Sequence, residues 1–191
     1  MQEKEKIAVL FSGGVDSLLV AAKVSKKAKE IYLLTCVTQF ITFQENVKKA
    51  MEILQKQFPD NLFISVMLSA KNILKLLWDG RALRDIFKVG FYRAYPCAVC
   101  KFSMHVRALV YCIENKINQV YDGANVMMSF NPCQNNKGRQ ALEEFYRFYG
   151  ITYQSPVYWY ENVDIMLFSR FSEFRDDSLI QRKIVRGKST N

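Results

Sequence analysis

Residues 7–24, IAVLFSGGVDSLLVAAKV, join one apolar run to another through two glycines. The first run is short and rich in branched side chains, which is typical of a buried strand, and the second has the periodicity of a helix. The chain must therefore pass from strand to helix in a tight turn, where Gly13 and Gly14 allow the backbone to approach a ligand closely. Backbone N–H groups and the positive end of the helix dipole then face one point. The sequence predicts an anion-binding turn from Ser12 to Ser17.

Strand-like and helix-like segments alternate along the chain. Short apolar runs predict buried parallel strands at residues 7–11, 31–38, 61–68 and 120–121. Helical patterns follow at residues 17–27, 45–58, 70–90 and 102–116. This order predicts an α/β fold of three layers, with a doubly wound, Rossmann-like parallel sheet of about five strands. Ligands of such sheets bind at the carboxyl ends of the strands.

The composition is that of a globular domain. Half of the 191 residues are hydrophobic, which is enough for one core. We expect one domain over residues 1–160 and a basic, helical extension of it over residues 161–191. No apolar stretch approaches the roughly 20 residues that cross a bilayer, and the charged start MQEKEK does not resemble a signal peptide. We therefore expect a cytoplasmic protein without a membrane partner.

The formal net charge of +9 indicates an anionic partner. A single nucleotide needs a smaller excess of positive charge, so RNA or another polyphosphate is slightly favoured over a merely basic surface. The basic segment QRKIVRGKSTN at the end of the sequence is expected to be solvated charge.

Five cysteines, an odd number in a protein expected in a reducing compartment, argue against a disulfide framework. Cys97 and Cys100 have the CxxC spacing just before a predicted helix, where two thiolates can bind one metal ion. Cys133 would give a third ligand and leave a fourth position open, as in a catalytic zinc site or a [4Fe-4S] cluster. Cys36 and Cys112 are expected to pack in the core.

The helix predicted after the CxxC sequence has an apolar face. Phe102, Val106, Leu109 and Ile113 recur at helical spacing, and we expect them to be buried together. His105 is expected to be a polar residue on the surface of this helix, and neither a metal ligand nor a base.

The glycine turn does not match the common nucleotide-binding motifs. Both the GxxxxGK[ST] sequence and the GxGxxG sequence are missing. SGGVDS instead resembles the PP-loop of the ATP pyrophosphatase superfamily, an adenine nucleotide alpha-hydrolase-like group whose members cleave ATP between the α and β phosphates. The resemblance implies that ATP and Mg²⁺ bind here, with Asp16 oriented toward the metal. The phosphate-binding residues that it implies are Ser12, Gly13, Gly14, Val15, Asp16 and Ser17.

The order of SGGVDS, a CxxC sequence, DGAN and a third cysteine resembles the sulfur-transferring branch of this superfamily. That branch includes tRNA thiolases and the sulfur transferase of nickel-pincer cofactor synthesis. The resemblance covers most of residues 6–157 and implies an ATP-dependent sulfurtransferase, which adenylates its substrate, releases pyrophosphate and replaces AMP with sulfur. It implies that Asp122 and Asn125 lie near the nucleotide. It also implies that Lys137 and Arg139 lie in a loop that contacts a phosphate or the substrate.

Three cysteines complete the site that the resemblance implies. Cys97, Cys100 and Cys133 would hold a [4Fe-4S] cluster or carry the sulfur, and with Asp16 they would be the catalytic residues. The acceptor would be a tRNA base or a small cofactor precursor, and the donor would be a protein or free sulfide. No pattern indicates the homodimer that the sequence would allow, and we expect no separate RNA-binding domain within these 191 residues.

Two alternatives stay open. The first keeps adenylation but uses ammonia or an amine, as in the amide-forming members, with structural zinc on the cysteines. The second is an ATP-binding module without turnover on the same α/β scaffold. The SGGVDS sequence disfavours this second alternative, because such binders usually lack this turn.

Overall fold

The computed structural model describes residues 6–38, 44–79, 95–130 and 134–160. Part of the predicted helical region at residues 70–90, Cys133, and the predicted extension at residues 161–191 lie outside the described residues. The division of the chain at residue 160 therefore stays a prediction.

Five parallel strands pair into one sheet within the described residues. They are Lys6–Leu10 (β1), Glu30–Val37 (β2), Leu62–Ser69 (β3), Gln119–Tyr121 (β4) and Thr152–Gln154 (β5). Their order is β3-β2-β1-β4-β5, and Val9 of β1 lies opposite Leu33 of β2 and Tyr121 of β4. The chain builds the sheet first to one side of β1 and then to the other, so the sheet is doubly wound with its switch point between β1 and β4. The predicted fold class is confirmed.

Helices connect these strands. Within the described residues they are Val15–Val24 (α1), Gln44–Gln57 (α2), Lys71–Asp79 (α3), Tyr95–Glu114 (α4) and Asn136–Phe148 (α5), with a short 3-10 helix at Val126–Met128. None of the helices described combines the length and the apolar character that a membrane span requires. The first four strands, α1 and α2 lie within a few residues of their predicted bounds. The strand β5 and the helix α5 are not indicated by the sequence patterns given above.

The core lies on both faces of the sheet. On one face, Ala8 and Val120 pack with Ala108 of α4 and Leu142 of α5. Successive residues of a strand point to opposite faces, and Val9, the neighbour of Ala8, is also fully buried. On that second face α1 contacts β1, and α2 contacts β3 and α1. The sheet is therefore the middle of three layers, as predicted.

Helix α4 departs most from its prediction. It begins at Tyr95 and not near residue 102, so the CxxC sequence lies inside its first turns instead of before the helix. Pro96 is compatible with this early start, because the first turn of a helix needs no backbone N–H donor. The thiols of Cys97 and Cys100 are therefore held three residues apart on a helix and not on a loop.

The buried face of α4 also differs from the predicted one. Leu109 is buried as expected, but Ile113 is 51% exposed. Ser103 and His105 are fully buried instead, so the prediction of a surface histidine is wrong. Each of these two polar side chains has a hydrogen-bond partner inside the protein, which offsets the loss of contact with water.

Candidate functional site

The turn between β1 and α1 is closed by its own serine side chains. Ser17 Oγ donates to the Gly14 carbonyl at 2.9 Å, and Ser12 Oγ accepts from Gly14 N at 3.3 Å. The two hydroxyl oxygens are 3.4 Å apart. Gly14 has an extended conformation as the N-cap of α1, so the positive end of the helix dipole begins directly at the turn. The N-terminus of α1 therefore lies at the turn that the sequence predicts to bind an anion.

Gly13 is the position in this turn where a side chain has no room. Its φ is +72°, a left-handed conformation that favours glycine, and a Cβ there would lie 2.5 Å from Asn46 C and from Val47 N. These two atoms belong to the backbone of the first turns of α2, which cannot move as easily as a flexible side chain. The turn is therefore packed directly against a second helix.

The loop after β4 packs against the start of α1. A Cβ on Gly123 would lie 3.0 Å from Asp16 C and from Ser17 N, so the two backbones are in close contact. Asn125 Nδ2 donates to Asp16 Oδ1 at 3.4 Å, while Asn125 Oδ1 accepts from Met127 N at 2.9 Å. The SGGVDS and DGAN sequences are far apart along the chain but form one surface at the switch point of the sheet.

The carboxylate of Asp122, at the end of β4, is buried and surrounded by protein groups. Its Oδ1 accepts hydrogen bonds from Ser155 Oγ at 2.6 Å and from Ala124 N at 3.1 Å. Its Oδ2 lies 3.2 Å from Lys101 Nζ and 3.8 Å from His105 Nε2. Burial alone would raise the pKa of Asp122, but the Lys101 cation and these other groups together lower it to about 2. Asp122 is therefore ionised, and a contact of its own with the nucleotide stays a prediction.

His105 is an uncharged, fully buried imidazole in the same cluster. Burial lowers the pKa of His105 to about 3, with Lys101 acting in the same direction and Asp122 against it. Its Nδ1 lies 3.2 Å from the hydroxyl of Tyr146, which also donates to the His105 carbonyl at 3.2 Å. At neutral pH the contact between His105 and Asp122 is therefore not an ion pair. Within the part of the chain that the structure describes, His105 Nε2 has no hydrogen-bond partner, and Asp122 Oδ2 meets Lys101 Nζ as an ion pair without a hydrogen bond of ordinary geometry.

Sequence reasoning missed Lys101 and His105 as members of the site. The two residues are four positions apart, so they lie on the same side of α4. Lys101 also follows Cys100 directly. Lys101 and His105 are one helical turn apart, just after the CxxC sequence. This spacing would have indicated that their side of α4 faces an acidic group on the sheet.

The first turns of α4 lie at the carboxyl edge of the sheet. Cys100 Sγ is 3.8 Å from Thr38 Oγ1, at the end of β2, and the next residue, Lys101, contacts Asp122, at the end of β4. Because β1 lies between β2 and β4, these two contacts span the strand that leads into the turn from Ser12 to Ser17. The structure therefore brings the CxxC sequence to the same edge as SGGVDS and DGAN.

Cys97 is exposed and Cys100 is half-buried, and two thiols on one helix fit two positions of a zinc or iron–sulfur site. The third predicted ligand, Cys133, lies outside the described residues. Within residues 6–38, 44–79, 95–130 and 134–160, no group of three or more His, Cys, Asp or Glu side chains is arranged to hold a metal ion. The three-cysteine site therefore stays a prediction.

Cys36 and Cys112 pack in the core, as predicted. Both are buried, and Cys36 Sγ lies 3.6 Å from the carbonyl of Met104. Burial raises the pKa of each of these two thiols to about 12. They are therefore protonated at neutral pH and unsuited to metal binding or sulfur transfer.

Lys137 and Arg139 lie in the first turn of α5, so the prediction that they belong to a loop is wrong. The helix begins there because Asn135 is an N-cap whose Oδ1 accepts from Gly138 N at 2.8 Å. Arg139 Nη1 lies 3.5 Å from a carboxylate oxygen of Glu143, one turn along the same helix. Contacts of Lys137 or Arg139 with a phosphate or a substrate stay predictions.

The parallel sheet with strand order β3-β2-β1-β4-β5, and the turn at its switch point, define the class as an α/β Rossmann-like fold of the adenine nucleotide alpha-hydrolase type. No protein family and no curated protein matches the sequence. Solved structures do match it. The predicted subunit of a tRNA methyltransferase from Methanocaldococcus jannaschii is 19% identical, with a TM-score of 0.57, over 86% of this chain and 76% of its own.

The U34-tRNA thiolase NcsA from Methanococcus maripaludis, solved with its [4Fe-4S] cluster, is 16% identical over 88% of this chain, with a TM-score of 0.50. The matched part is 56% of the thiolase, so this chain spans little more than half of that protein's length. At such identities the likeness shows the fold alone. The resemblance of the chain to the PP-loop superfamily, first indicated by SGGVDS, is confirmed at the level of the fold.

We expect Gly13→Ala to lower the free energy of unfolding by about 3 kcal/mol, because it combines a left-handed conformation with a clash against the backbone of α2. Gly150→Ala is a matched control, since Gly150 has the same φ of +72° and no atom within 4 Å of an added Cβ. Gly150→Ala should lower the free energy of unfolding by only about 1 kcal/mol. Urea denaturation of the two variants measures the difference. Equal losses would show that α2 does not pack against the turn.

Stability should fall as the pH is lowered below about 6.5. His105 is the single histidine of the sequence, and its pKa is about 3 in the folded protein, so between these values the unfolded chain binds one more proton. The free energy of unfolding should therefore drop by roughly 2 kcal/mol between pH 6.5 and pH 5. The pKa of Asp122 is about 2 in the folded protein, so its protonation lowers the free energy of unfolding only below about pH 4.

Urea denaturation at a series of pH values measures this dependence. The variant His105→Gln should be less stable at neutral pH but should lose the decline between pH 6.5 and pH 5. A decline of the same size in His105→Gln would mean that another group causes it.

Proposed function

We propose that the protein is an ATP-dependent, AMP- and pyrophosphate-forming sulfurtransferase. The observation that carries the proposal is the meeting of three sequences at one sheet edge. The phosphate turn and the DGAN loop are in backbone contact, and Cys100 and Lys101 contact the strands on either side of β1. An activated substrate bound at the turn would thus face thiols on the same edge.

In the first step of the proposal, the turn from Ser12 to Ser17 binds the β and γ phosphates of ATP through its backbone N–H groups. Asp16 supplies an oxygen ligand for Mg²⁺, and the contact with Asn125 orients this carboxylate. An oxygen of the substrate attacks the α phosphorus, the bond to the β-phosphate oxygen breaks, and pyrophosphate leaves. The positive helix end and Mg²⁺ stabilise the charge on the departing pyrophosphate.

In the second step, sulfur attacks the adenylated carbon and AMP leaves with the original oxygen. Cys97, Cys100 and Cys133 would hold a [4Fe-4S] cluster, or one of them would carry this sulfur as a persulfide received from a donor protein. In the persulfide case a second cysteine would attack the sulfur–sulfur bond to release the thiolated product, and an external thiol would reduce the resulting disulfide. A bound cluster would supply an iron position that is free to take sulfide. The exposure of Cys97 supports access by a donor, which would be free sulfide for a cluster and a persulfide-bearing donor protein for the persulfide route.

For the acceptor we favour a tRNA base over a small cofactor precursor. The net charge of +9 supports a polyanionic partner. One protein of similar fold is a thiolase of U34 in tRNA, which is compatible with the same choice. Lys137 and Arg139, at the start of α5, are the proposed contacts with a phosphate or the substrate. We expect the protein to act in the cytoplasm.

Replacing Asp16 by Asn should lower ATP-dependent pyrophosphate release at least about 100-fold, because the variant loses the charge that holds Mg²⁺. Asp60→Asn removes an exposed carboxylate elsewhere and should leave release unchanged. Cys100→Ala keeps the turn intact, so it should release pyrophosphate normally but form no thiolated product. Pyrophosphate and thiolated nucleoside are measured with unmodified tRNA, ATP and sulfide. Equal loss of both reactions in folded Cys100→Ala would contradict the division between turn and cysteines.

Protein purified without oxygen should contain iron and acid-labile sulfide at about four each per chain. Cys133→Ala should lose both, while Cys112→Ala, which changes a core thiol, should keep them. Elemental analysis and sulfide titration give the two numbers. Zinc in place of iron, with activity on ammonium instead of sulfide, would favour amide ligation. Failure to release pyrophosphate with any acceptor tested would favour an ATP-binding module without turnover.

A further inference from the structure

We infer that Lys101 is a positioning residue that holds the cysteine-bearing turn of α4 beside the nucleotide, through its ion pair with Asp122. The inference rests on the proposed function, because it assigns a role to Lys101 in that same site. It differs from the family resemblance, which implies roles for the cysteines and for Asp122 but none for the lysine between them.

Asp122 is held in place relative to the turn from Ser12 to Ser17. Oδ1 is held by Ser155 Oγ at 2.6 Å and by Ala124 N at 3.1 Å, so Oδ2 is directed toward α4. The residue after Asp122 is Gly123, whose backbone is packed so closely against Asp16 that an added Cβ would lie 3.0 Å from Asp16 C. A shift of Asp122 would therefore require the loop and the start of α1 to shift together.

Lys101 lies in the same turn of α4 as the cysteines. Lys101 follows Cys100 in the same helical turn, and its side chain is 20% exposed, while that of Asp122 is 3% exposed. His105 approaches the same carboxylate oxygen only to 3.8 Å and is uncharged at neutral pH. Among the described residues, Lys101 is therefore the cation that balances the buried charge of Asp122.

The hydrogen bond between Cys100 and Thr38, at the same end of α4, is weaker than the ion pair. Cys100 Sγ and Thr38 Oγ1 are 3.8 Å apart, and a thiol is a weak donor. The ion pair is a charged contact at 3.2 Å across to β4. Removing the lysine would remove the charged contact between this turn and β4, and a buried carboxylate without its cation would be drawn toward water.

A bound nucleotide tests this arrangement without any turnover. If α4 is held beside the nucleotide, an ATP analogue with a methylene group between the α and β phosphates should shield Cys97 and Cys100 from iodoacetamide in protein from which iron has been removed, so that both thiols are free to react. We expect Mg²⁺ and this analogue to slow alkylation of the peptide that contains both cysteines at least about fivefold in the unmodified protein. Mass spectrometry of the digested protein follows that peptide separately from the buried Cys36 and Cys112.

Four variants separate positioning from stability. Lys101→Met should bind the analogue but lose the protection, with a change of less than about twofold. Lys101→Arg keeps the charge and should restore protection, and Lys75→Met, an exposed lysine of α3, should behave like the unmodified protein. Asp122→Asn breaks the same pair from the other side, and its effect on protection should not add to that of Lys101→Met. A role in stability alone would change the melting temperature but not the protection by nucleotide.

Equilibrium dialysis measures whether each variant binds the analogue, so that loss of protection can be distinguished from loss of binding. Full protection in a folded Lys101→Met that binds the analogue would overturn the inference. Binding without protection in the unmodified protein would also overturn it and leave the proposed function standing. No binding in the unmodified protein would overturn the proposed function and this inference with it. If Lys101→Met does not fold, Lys101→Gln and Asp122→Asn give the same readout.

Discussion

The buried carboxylate of Asp122 is the contact on which the arrangement of the site depends. It joins three separate parts of the chain: α4 through Lys101, the segment after β5 through Ser155, and the DGAN loop through Ala124. A carboxylate removed from water is costly unless it is paired and hydrogen-bonded. The fold meets this requirement with groups from elements far apart in sequence, so the charge can be stable only when all of them are in place.

The electrostatics of this cluster follow from burial and not from the nominal charges of its members. His105 is close to Asp122 but neutral, so among the residues that the structure describes Lys101 carries the compensating charge. A buried ion pair is weak evidence for stability, because removing two charges from water opposes their attraction. Its clearer effect is on geometry: one short contact fixes the distance between a helix and a loop.

Local sequence determines some of this site and long-range contact determines the rest. The β1 turn and α1 could be predicted because the apolar strand, the glycines and the helical repeat all lie within residues 7–24. The strand β5 has only three residues, which is too few to show the alternating pattern of a strand. It forms because its backbone pairs with β4. His105 is buried because Tyr146 and the sheet cover it, which its own helix does not reveal. The loop predicted around Lys137 is a helix because Asn135 caps it.

Gly13 brings the turn from Ser12 to Ser17 against the backbone of α2, and Gly123 brings the DGAN loop against the start of α1, at distances where an added Cβ would lie 2.5 Å and 3.0 Å from backbone atoms. Such close contact leaves the turn few alternative conformations once the protein has folded. The entropy of ordering the turn is therefore lost during folding and would not be lost again on binding of the anion that we propose. A preorganised site of this kind loses less affinity to conformational restriction, and its N–H groups keep their orientation between one ligand and the next.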